Sequence, residues 1–450
     1  MAASRKRLLP NNTVVHGVVD VLARHLAPNA RLVLALSGGL DSVVLLHALQ
    51  TLRDRFSFEL KAVHVHHGLS PDADAWVEFC TRLCASHSVA LTTHRVRIEL
   101  DDPAGIEAAA RRERQRVFAA VDADWLLTAH HQTDQAETLL LQLLRGAGPK
   151  GLAAMPEARS RPGWQAVQLR PLLAVARDEI QLYARAHGLA WVEDASNQDV
   201  RFRRNVLRHQ VMPVLATAFP GAAATLARTA RLQADAAELL DELARLDAVA
   251  AISGGRLDCA ALATLPLPRA RNLLRHFVEQ HGLLMPSFRR LNESLHQLLD
   301  ARQDAQVCVG LGAYVIRRFR GGAYLVLAMP SAVAEVEWHG ERQLTLPGMG
   351  ELSFQFVVGG GLKRQSLEGG PVTLGLRQGG ERLRLTPNGP SRSLKNLLQE
   401  RAVEPWLRER LPMLKCKGEM VWADTFGCHA NWLAAADEPG LLPVWRPALC

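Results

Sequence analysis

At 450 residues the chain is longer than one typical domain, so we expect two or three domains with a sizeable hydrophobic core. Its apolar runs are too short for a membrane span, its first residues lack a secretory signal, and its seven scattered cysteines form no CxxC pair. These features disfavour membrane-spanning, disulfide-bonded and zinc-binding classes and predict a cytoplasmic protein without a membrane partner, while the net charge of +8 favours a polyanionic partner.

The first informative element is a strand that ends in a glycine-rich turn. The run LVLAL at residues 32–36 predicts a buried strand, SGGLDS follows it, and VVLL then predicts a buried helix. Two glycines let the backbone turn sharply, the helix N-terminus adds partial positive charge, and the serines supply hydroxyl donors, which suits a pyrophosphate. A plain strand-to-helix turn with an aspartate N-cap is the alternative. The candidate nucleotide-binding residues are Ser37, Gly38, Gly39, Leu40, Asp41 and Ser42.

Apolar strand-like runs alternate with helical patterns from about residue 32 to about residue 191. This alternation predicts an α/β fold, a doubly wound parallel sheet with helices on both faces. In such sheets ligands bind beyond the carboxyl ends of the strands, so motifs that follow strands should converge there.

The rest of the chain has a different pattern. Helical periodicity over residues 206–299 predicts a helical middle domain, and residues 314–327 and 343–358 predict strands. Glycines at 359–361 and 369–370 predict a flexible junction before a third unit.

A helix with two carboxylates follows a later strand of the predicted sheet. The segment TAHHQTDQAET places Asp134, Glu137 and Thr138 on one helix face, so both carboxylates can point together at a cation or an amine. Zinc is disfavoured because the histidines have neither HExxH spacing nor partner cysteines, and a magnesium ion brought in with a bound nucleotide is favoured. A solvated helix face is the alternative.

Further motifs carry cationic and polar groups. GIEAAAR at residues 105–111 predicts a helix with a cationic face, and RPLL follows at residues 170–173. DASNQD at residues 194–199 precedes FRRNVLR at residues 202–208. Residues 377–417 carry an excess of Lys and Arg over Glu, which suits contacts to phosphates.

Taken together, these segments resemble the tRNA(Ile)-lysidine synthetases, a family of the PP-loop, or N-type, ATP pyrophosphatases. The family signatures SGGxDS, GxExxAR, TAHHxxDQxET, RPLL, DxSNxD and RNxxR occur here in the family order, although His66 stands where the family usually has asparagine. The resemblance implies four regions, namely a PP-loop catalytic domain at residues 1–215, a mainly helical tRNA-binding or substrate domain at 216–330, a linker region at 331–370 and a small α+β tRNA-binding domain at 371–450.

The resemblance also implies a reaction. Members of the family ligate lysine to C2 of the wobble cytidine of an isoleucine tRNA with a CAU anticodon, which changes decoding and charging from methionine to isoleucine. ATP first adenylates the cytidine with release of pyrophosphate, and lysine then displaces AMP. The implied cofactors are ATP and Mg2+, and the implied partners are L-lysine and tRNA(Ile).

Roles for individual residues follow from the same resemblance. Asp41 is expected to help place the magnesium of ATP, Arg111 to stabilise charge on the α-phosphate, and Arg203 to hold that phosphate or the tRNA backbone. Asp134 or Glu137 is expected to bind the lysine ammonium and take part in its deprotonation. The expected substrate-binding residues are His130, Asn197, Arg204, Arg208, Arg392 and Lys395.

Other functions remain as alternatives. A PP-loop tRNA thiolase would use a cysteine pair or an iron–sulfur cluster, whereas Cys80 and Cys84 are one helical turn apart rather than in CxxC. A small-molecule amidating ligase would leave the basic C-terminal segment without a purpose. A non-catalytic RNA-binding protein with a relic nucleotide loop is disfavoured by the intact motifs. The apolar helical middle permits a homodimer, although a buried core explains the same pattern.

Overall fold

The computed structural model describes residues 12–99, 101–103, 105–194, 198–301, 307–328 and 333–448. The chain divides into two compact units, residues 1–240 and 241–450, and each unit has buried hydrophobic clusters of its own. The first unit places helices around a central sheet. Its elements are α1 (Asn12–His25), β1 (Ala30–Ala35), α2 (Leu40–Thr51), β2 (Phe58–His66), α3 (Ala73–Ser86), β3 (Ala90–Arg95), α4 (Ile106–Ala119), β4 (Trp125–Leu127), α5 (Gln132–Leu143), α6 (Pro149–Leu152), β5 (Ala158–Arg159), β6 (Val167–Leu169), α7 (Arg177–Ala186), α8 (Arg203–Val206), a π-helical segment (Leu207–Val211), α9 (Met212–Ala218) and the start of α10 (Ala222–Ala251).

The strands of the first unit form a six-stranded sheet in the order β3-β2-β1-β4-β6-β5. All neighbouring strands are parallel except β5, which runs antiparallel to β6. The chain moves outward from β1 to β3 and then returns to β4 on the other side of β1. Strands β1 and β4 therefore form the topological switch point, where ligands bind in doubly wound sheets. The predicted doubly wound parallel sheet is confirmed.

Strand β1 is central because it is apolar on both faces. Leu32 and Leu34 are almost wholly buried in a cluster with residues of the surrounding helices. Val33 belongs to a second cluster, with Val63 and Phe118, on the other face of the sheet. Burial on both faces is expected of a parallel strand covered by helices. The carboxyl end of β1 is thus held between two packed layers.

The long helix α10 begins in the first unit and ends in the second. Among the described residues no single helix is long and apolar enough to cross a membrane. The segments at residues 203–218 and 222–251 would together be long and apolar enough, but the chain bends by 100° between them. The further elements of the second unit are β7 (Ile252–Ser253), β8 (Arg256–Asp258), α11 (Cys259–Thr264), α12 (Leu267–Gln280), α13 (Phe288–Asp300), β9 (Cys308–Leu311), β10 (Tyr314–Phe319), β11 (Gly322–Leu327), β12 (Val336–Trp338), β13 (Gln343–Leu346), β14 (Gly350–Val358), β15 (Leu362–Lys363), α14 (Arg364–Leu367), β16 (Val372–Leu376), β17 (Arg382–Leu383), β18 (Arg392–Ser393), α15 (Leu394–Glu400), α16 (Pro405–Glu409), β19 (Pro412–Cys416), β20 (Glu419–Ala423), β21 (Gly427–Cys428), a 3-10 turn (Ala430–Trp432) and β22 (Pro439–Pro447).

The region predicted as a mainly helical middle also contains a sheet. Its five strands lie in the order β7-β8-β11-β10-β9, and Phe277, Leu295 and Ile316 are wholly buried in the cluster that these strands share with the helices. The β10–β11 hairpin lies where the sequence predicts strands, and it turns at Arg320 and Gly321, which have φ values of 46° and 76°, as a tight hairpin turn requires. Strands β7 and β8 are too short to show a strand period, so they are not readable from the sequence.

The described part of the predicted linker region, residues 331–370, contributes the four strands β12 to β15 to the C-terminal sheets. Strand β12 pairs with β16, and β14 pairs with β22 from Gly350 opposite Pro447 to Val358 opposite Pro439. The glycines near residue 360 serve close packing, because a Cβ at Gly361 would lie 2.6 Å from the backbone of Leu441. A glycine run that fits against a neighbouring strand has the same sequence pattern as a flexible junction, which is the reason for the difference.

Candidate active site

The glycine-rich loop joins the carboxyl end of β1 to the start of α2. The Ser37 and Ser42 hydroxyls lie 3.1 Å apart, and the Ser42 hydroxyl donates to the Gly39 carbonyl at 2.9 Å. The Gly39 N–H donates weakly to Ser37 Oγ at 3.3 Å, and Gly39 is the residue that precedes the first turn of α2. Two hydroxyls and the N-terminus of a buried helix therefore converge at one point, which is an arrangement that binds anions.

Gly38 is required by the backbone of this loop. Its φ is +85°, and a Cβ at this position would lie 3.0 Å from Val192 Cγ2 and 3.1 Å from Cys80 Sγ. The Gly38 carbonyl also accepts a hydrogen bond from the Val192 N–H at 3.0 Å. The neighbouring Gly39 has an ordinary φ of −74°. The two glycines of the motif thus have different roles.

Asp41 presents an unpartnered carboxylate oxygen to the site. It lies in the first turn of α2, and its Oδ1 atom is buried without a hydrogen-bond partner. Its Oδ2 atom lies 3.7 Å from His131 Nε2. Burial raises the pKa of Asp41, and the nearby Asp134 raises it further while His131 opposes the shift. A buried carboxylate oxygen that lacks a donor is a group that a cation would stabilise.

His131 and Asp134 together begin helix α5. The His131 side chain accepts from the Thr133 N–H at 3.2 Å, and Asp134 Oδ2 accepts from the His131 N–H at 3.0 Å, so the two residues form a capping box. Because His131 Nδ1 accepts, its Nε2 atom carries the proton, and this atom lies 3.5 Å from Asp134 Oδ2 as well as near Asp41. His131 therefore links the two carboxylates. The site residues predicted from the sequence include His130 and do not include His131. The aspartate three residues after His131 is nevertheless a sequence signal for a capping box at the start of a helix.

Asp134 and Glu137 meet two guanidinium groups. Arg204 donates to Glu137 Oε2 at 2.7 Å and to Asp134 Oδ1 at 2.9 Å. Arg208, one helical turn later, donates to Glu137 Oε1 at 2.7 Å and to Asp134 Oδ1 at 3.0 Å. The two carboxylates share one face of α5, as the sequence predicts. The cations that they contact here belong to the chain itself.

This charge network is deeply buried. Glu137 has no exposed surface, and the Asp134 side chain is only 11% exposed. Burial opposes ionisation of Asp134, but His131 and Arg204 hold the pKa of its carboxyl well below the usual range. Burial likewise opposes the charge of Arg208, but its hydrogen bond to Glu137 raises the pKa of the guanidinium above its ordinary value. Each buried ion therefore depends on its partners.

His130 lies at the end of a buried hydrogen-bonded chain. Arg170 donates to Gln168 Oε1 at 2.7 Å, Gln168 donates to Thr128 Oγ1 at 3.2 Å, and that hydroxyl lies 3.0 Å from His130 Nδ1. Burial lowers the pKa of His130 to about 3, although Asp134 opposes the shift. A neutral His130 beside the carboxylate network can donate or accept one hydrogen bond without adding charge.

The other predicted site residues lie outside this charge network. Arg111 is exposed on α4, and Arg203 is exposed on α8, outside the guanidinium pair that binds the carboxylates. In the second unit Arg392 pairs with Glu400, and Lys395 is exposed on α15. The remaining predicted residue, Asn197, lies outside the described residues. Over the described part of the chain, no group of three or more His, Cys, Asp or Glu side chains is arranged to hold a metal ion.

Three family models match the chain: a PP-loop domain over residues 11–215, a TilS substrate binding domain over residues 257–324 and a TilS substrate C-terminal domain over residues 372–445. The chain is 45% identical over 428 residues to a tRNA(Ile)-lysidine synthase from Azoarcus sp. (strain BH72), with 95% of this chain and 94% of the relative covered. It is 41% identical over 431 residues to a tRNA(Ile)-lysidine synthase from Nitrosomonas europaea, with the same shares covered. A solved U34-tRNA thiolase from Methanococcus maripaludis is similar over 49% of this chain and 77% of its own, with 17% identity and a TM-score of 0.41, which is too remote to support an inference.

The two loop glycines should respond differently to substitution. Gly38→Ala should lower the free energy of unfolding by about 1–2 kcal/mol, because alanine is strained at positive φ and its Cβ would press on Val192. Gly39→Ala, at ordinary φ, should have a smaller effect. Urea unfolding of both variants measures the difference, and equal losses would contradict the geometry described for the loop.

Loss of one guanidinium should destabilise the buried network. Arg208→Gln should lower the free energy of unfolding by about 3 kcal/mol, because Glu137 would keep a buried charge with fewer donors. The matched control is Arg203→Gln, which removes an exposed guanidinium from the adjoining helix α8. Chemical denaturation of both variants measures their free energies of unfolding. A control that loses as much stability as Arg208→Gln would show that the network contributes little to the stability of the fold.

Acid should destabilise the protein before its carboxylates are protonated. The pKa of His130 is lowered to about 3, so below about pH 6.5 the unfolded chain binds a proton that the folded site does not, and stability falls by up to about 1.4 kcal/mol per pH unit. We expect His130→Gln to flatten the dependence between about pH 6.5 and 4.5, and the exposed His16→Gln to leave it unchanged. Unfolding free energies across this window test the expectation, and identical slopes for all three proteins would refute it.

Proposed function

Because the chain belongs to the tRNA(Ile)-lysidine synthase family, we propose that it ligates lysine to C2 of the wobble cytidine of tRNA(Ile) with a CAU anticodon. The reaction consumes ATP, passes through an adenylated cytidine and releases AMP and pyrophosphate. The observation that carries this proposal is the convergence of the anion-binding loop and the Asp134–Glu137 pair at one edge of one sheet. The loop suits the pyrophosphate of ATP, and the carboxylates suit the ammonium of lysine.

The first step activates a poor leaving group. The cytosine carbonyl oxygen attacks the α-phosphorus of ATP, and pyrophosphate departs, so that this oxygen becomes part of a phosphate leaving group. The hydroxyls of Ser37 and Ser42 and the N-terminus of α2 hold the negative charge of the pyrophosphate. The exposed Arg111 is expected to stabilise charge on the α-phosphate.

Asp41 is the residue that would hold magnesium. Its buried Oδ1 atom lacks a donor and therefore fits a hard cation bound with ATP. Such a cation supplies charge neutralisation to the phosphates when it is bound. The Nε2 atom of His131 lies 3.7 Å from Asp41 Oδ2, which is too long for a hydrogen bond but close enough for electrostatic attraction.

The second step needs a lysine amine without its proton. The amine attacks C2, AMP leaves, and the ammonium proton must go to solvent or to a nearby base. Asp134 is better suited to bind the ammonium than to keep its proton, because its pKa lies well below the usual range. An ammonium that binds here competes with Arg204 and Arg208 for the carboxylate oxygens, which frees guanidinium donors for the departing AMP.

The thiolase alternative is not favoured. Cys80 and Cys84 are both buried, and burial raises the pKa of the Cys80 thiol to about 12 and that of the Cys84 thiol to about 11. Thiols with such pKa values stay protonated and are poor nucleophiles. We place the enzyme in the cytoplasm, where ATP, lysine and tRNA are available. A homodimer stays a prediction.

Replacement of Asp41 should abolish the reaction but not the binding of RNA. In the presence of ATP, magnesium and transcribed tRNA, the unaltered protein should incorporate radiolabelled lysine into CAU tRNA(Ile) and not into methionine tRNA. Asp41→Ala should lower the rate by at least about 100-fold, because the charge that positions the phosphates is lost. Filter binding of the same tRNA should remain within about twofold.

The matched control for this test is Asp54→Ala, which removes an exposed carboxylate just beyond α2. Its rate should equal that of the unaltered protein. Retained incorporation by Asp41→Ala would remove Asp41 from the mechanism. Release of pyrophosphate without lysine incorporation by the unaltered protein would leave an ATP pyrophosphatase with a different acceptor.

A further inference from the structure

Four arginines of the first unit form a cluster beside the site. Arg111 is exposed on α4, Arg159 is exposed on β5, Arg161 is half-buried in the β5–β6 connection, and Arg170 is buried just after β6. As far as the structure describes the chain, none of the four forms an ion pair with a carboxylate. We call Arg111, Arg159, Arg161 and Arg170 the arginine cluster.

An aromatic contact holds the β5–β6 hairpin against α4. Trp164 of the hairpin meets Phe118 of α4 edge to face, with ring centroids 6.4 Å apart. The Arg161 guanidinium lies 4.8 Å from the centroid of the Trp164 ring. Phe118 lies two helical turns after Arg111, so both are on the same face of α4. The contact therefore brings the arginines of two separate elements together.

The buried member of the cluster has only neutral acceptors. Arg170 is 3% exposed, and it donates to the Pro156 carbonyl at 2.6 Å and to Gln168 Oε1 at 2.7 Å. The Nε atoms of Arg170 and Arg161 are both buried without a hydrogen-bond partner. Arg53, Arg317, Arg318 and Arg377 also have a buried Nε atom without a partner, so this feature alone does not mark a ligand site. At Arg161 and Arg170 it coincides with neighbouring like charges, and a bound anion would supply the missing acceptor.

The cluster is also electrostatically unsatisfied. Burial lowers the pKa of Arg170 to about 10, and Arg161, Arg159 and Arg111 contribute to this lowering. Burial, Arg159 and Arg111 lower the pKa of Arg161 in the same way. Like charges that repel one another in the free protein are stabilised when an anion binds between them.

The cluster is continuous with the carboxylate site. Burial and the charges of Arg111 and Arg204 lower the pKa of Arg114 of α4, while Glu107 opposes the shift. Arg204 in turn donates hydrogen bonds to Asp134 and Glu137. The cations thus form a track that leads from the site to the hairpin. The anion that the track fits is extended rather than compact, because its exposed members come from a helix and from a hairpin strand.

We propose that the arginine cluster binds backbone phosphates of the tRNA strand that flanks the target cytidine, and so positions that strand while the cytidine enters the site. This inference rests on the proposed function. Arginine binds phosphate through paired N–H donors, and contacts to phosphates fix the register of a nucleic acid without reading its sequence. The pyrophosphate of ATP is already assigned to the loop at Ser37 and Ser42, and the α-phosphate to Arg111, which leaves Arg159 and Arg161 as the exposed and half-buried members without an assigned anion. The cluster residues Arg159 and Arg161 act as positioning residues.

The test compares two double variants by filter binding at several salt concentrations. Arg159→Ala with Arg161→Ala should weaken binding of CAU tRNA(Ile) at least about tenfold and reduce the slope of log affinity against log salt by about 2, one unit for each phosphate that the protein no longer neutralises. The control, Arg82→Ala with Arg185→Ala, removes two exposed arginines of α3 and α7, and its slope should equal that of the unaltered protein. Arg161→Lys, which keeps the charge, should recover part of the slope. If the double variant does not fold, Arg159→Ala alone should reduce the slope by about 1.

Two further measurements locate the bound phosphates. An isolated CAU anticodon stem–loop should show the same loss as the full tRNA, and equilibrium dialysis should give an unchanged affinity for ATP. A loss confined to the full tRNA, a loss of ATP binding alone, or a slope equal to that of the control would each overturn the inference. If the unaltered protein incorporates no lysine but its tRNA binding still depends on Arg159 and Arg161, the proposed function is contradicted and the role of the arginine cluster in tRNA binding is supported. If lysidine forms but the double variant leaves the slope of log affinity against log salt unchanged, only the proposed role of the arginine cluster is contradicted.

Discussion

The site depends on the neutralisation of two buried carboxylates by two arginines. Glu137 has no exposed surface, so its charge requires the donors of Arg204 and Arg208, and this requirement fixes the segment of residues 203–211 against the carboxyl edge of the sheet. Arg208 lies within a π-helical segment, a distortion that is frequent at functional sites. The same contacts keep Asp134 ionised, and the ionised Asp134 both caps α5 and faces His131. One charge network therefore supports the helix, the connecting segment and the binding groups.

The sheet brings that network to the nucleotide loop. Strands β1 and β4 are neighbours in the sheet although a long stretch of chain separates them, so the loop after β1 and the helix after β4 share one edge. His131 completes the link because its Nε2–H lies between Asp41 and Asp134. The groups proposed to bind the phosphates and the amine are thus held a few side chains apart. This is what a ligase that activates one substrate with ATP and attacks it with an amine requires.

Much of this arrangement can be predicted from the sequence, and the rest depends on non-local contacts. Alternating apolar runs indicate the parallel sheet, and the spacing of Asp134 and Glu137 indicates a shared face. Their pairing with Arg204 and Arg208 is set by tertiary packing that no local pattern encodes. No sequence motif marks the β5–β6 hairpin. Its position depends on the contact between Trp164 and Phe118, which are far apart in the sequence. Strand β14 is readable as a strand, but its place in the C-terminal sheets is not, because its partner β22 is distant in the chain.

The loop is proposed to bind ATP, the carboxylate pair to bind lysine and the arginines to bind RNA. Formation of one modified nucleoside requires all three. Mass spectrometry of nucleosides from CAU tRNA(Ile), incubated with the purified protein, ATP, magnesium and lysine, tests this most directly. We predict that the wobble cytidine gains the mass of lysine less one water, only when ATP and lysine are both present. Unmodified cytidine, or a cytidine whose oxygen is replaced by sulfur, would contradict these assignments.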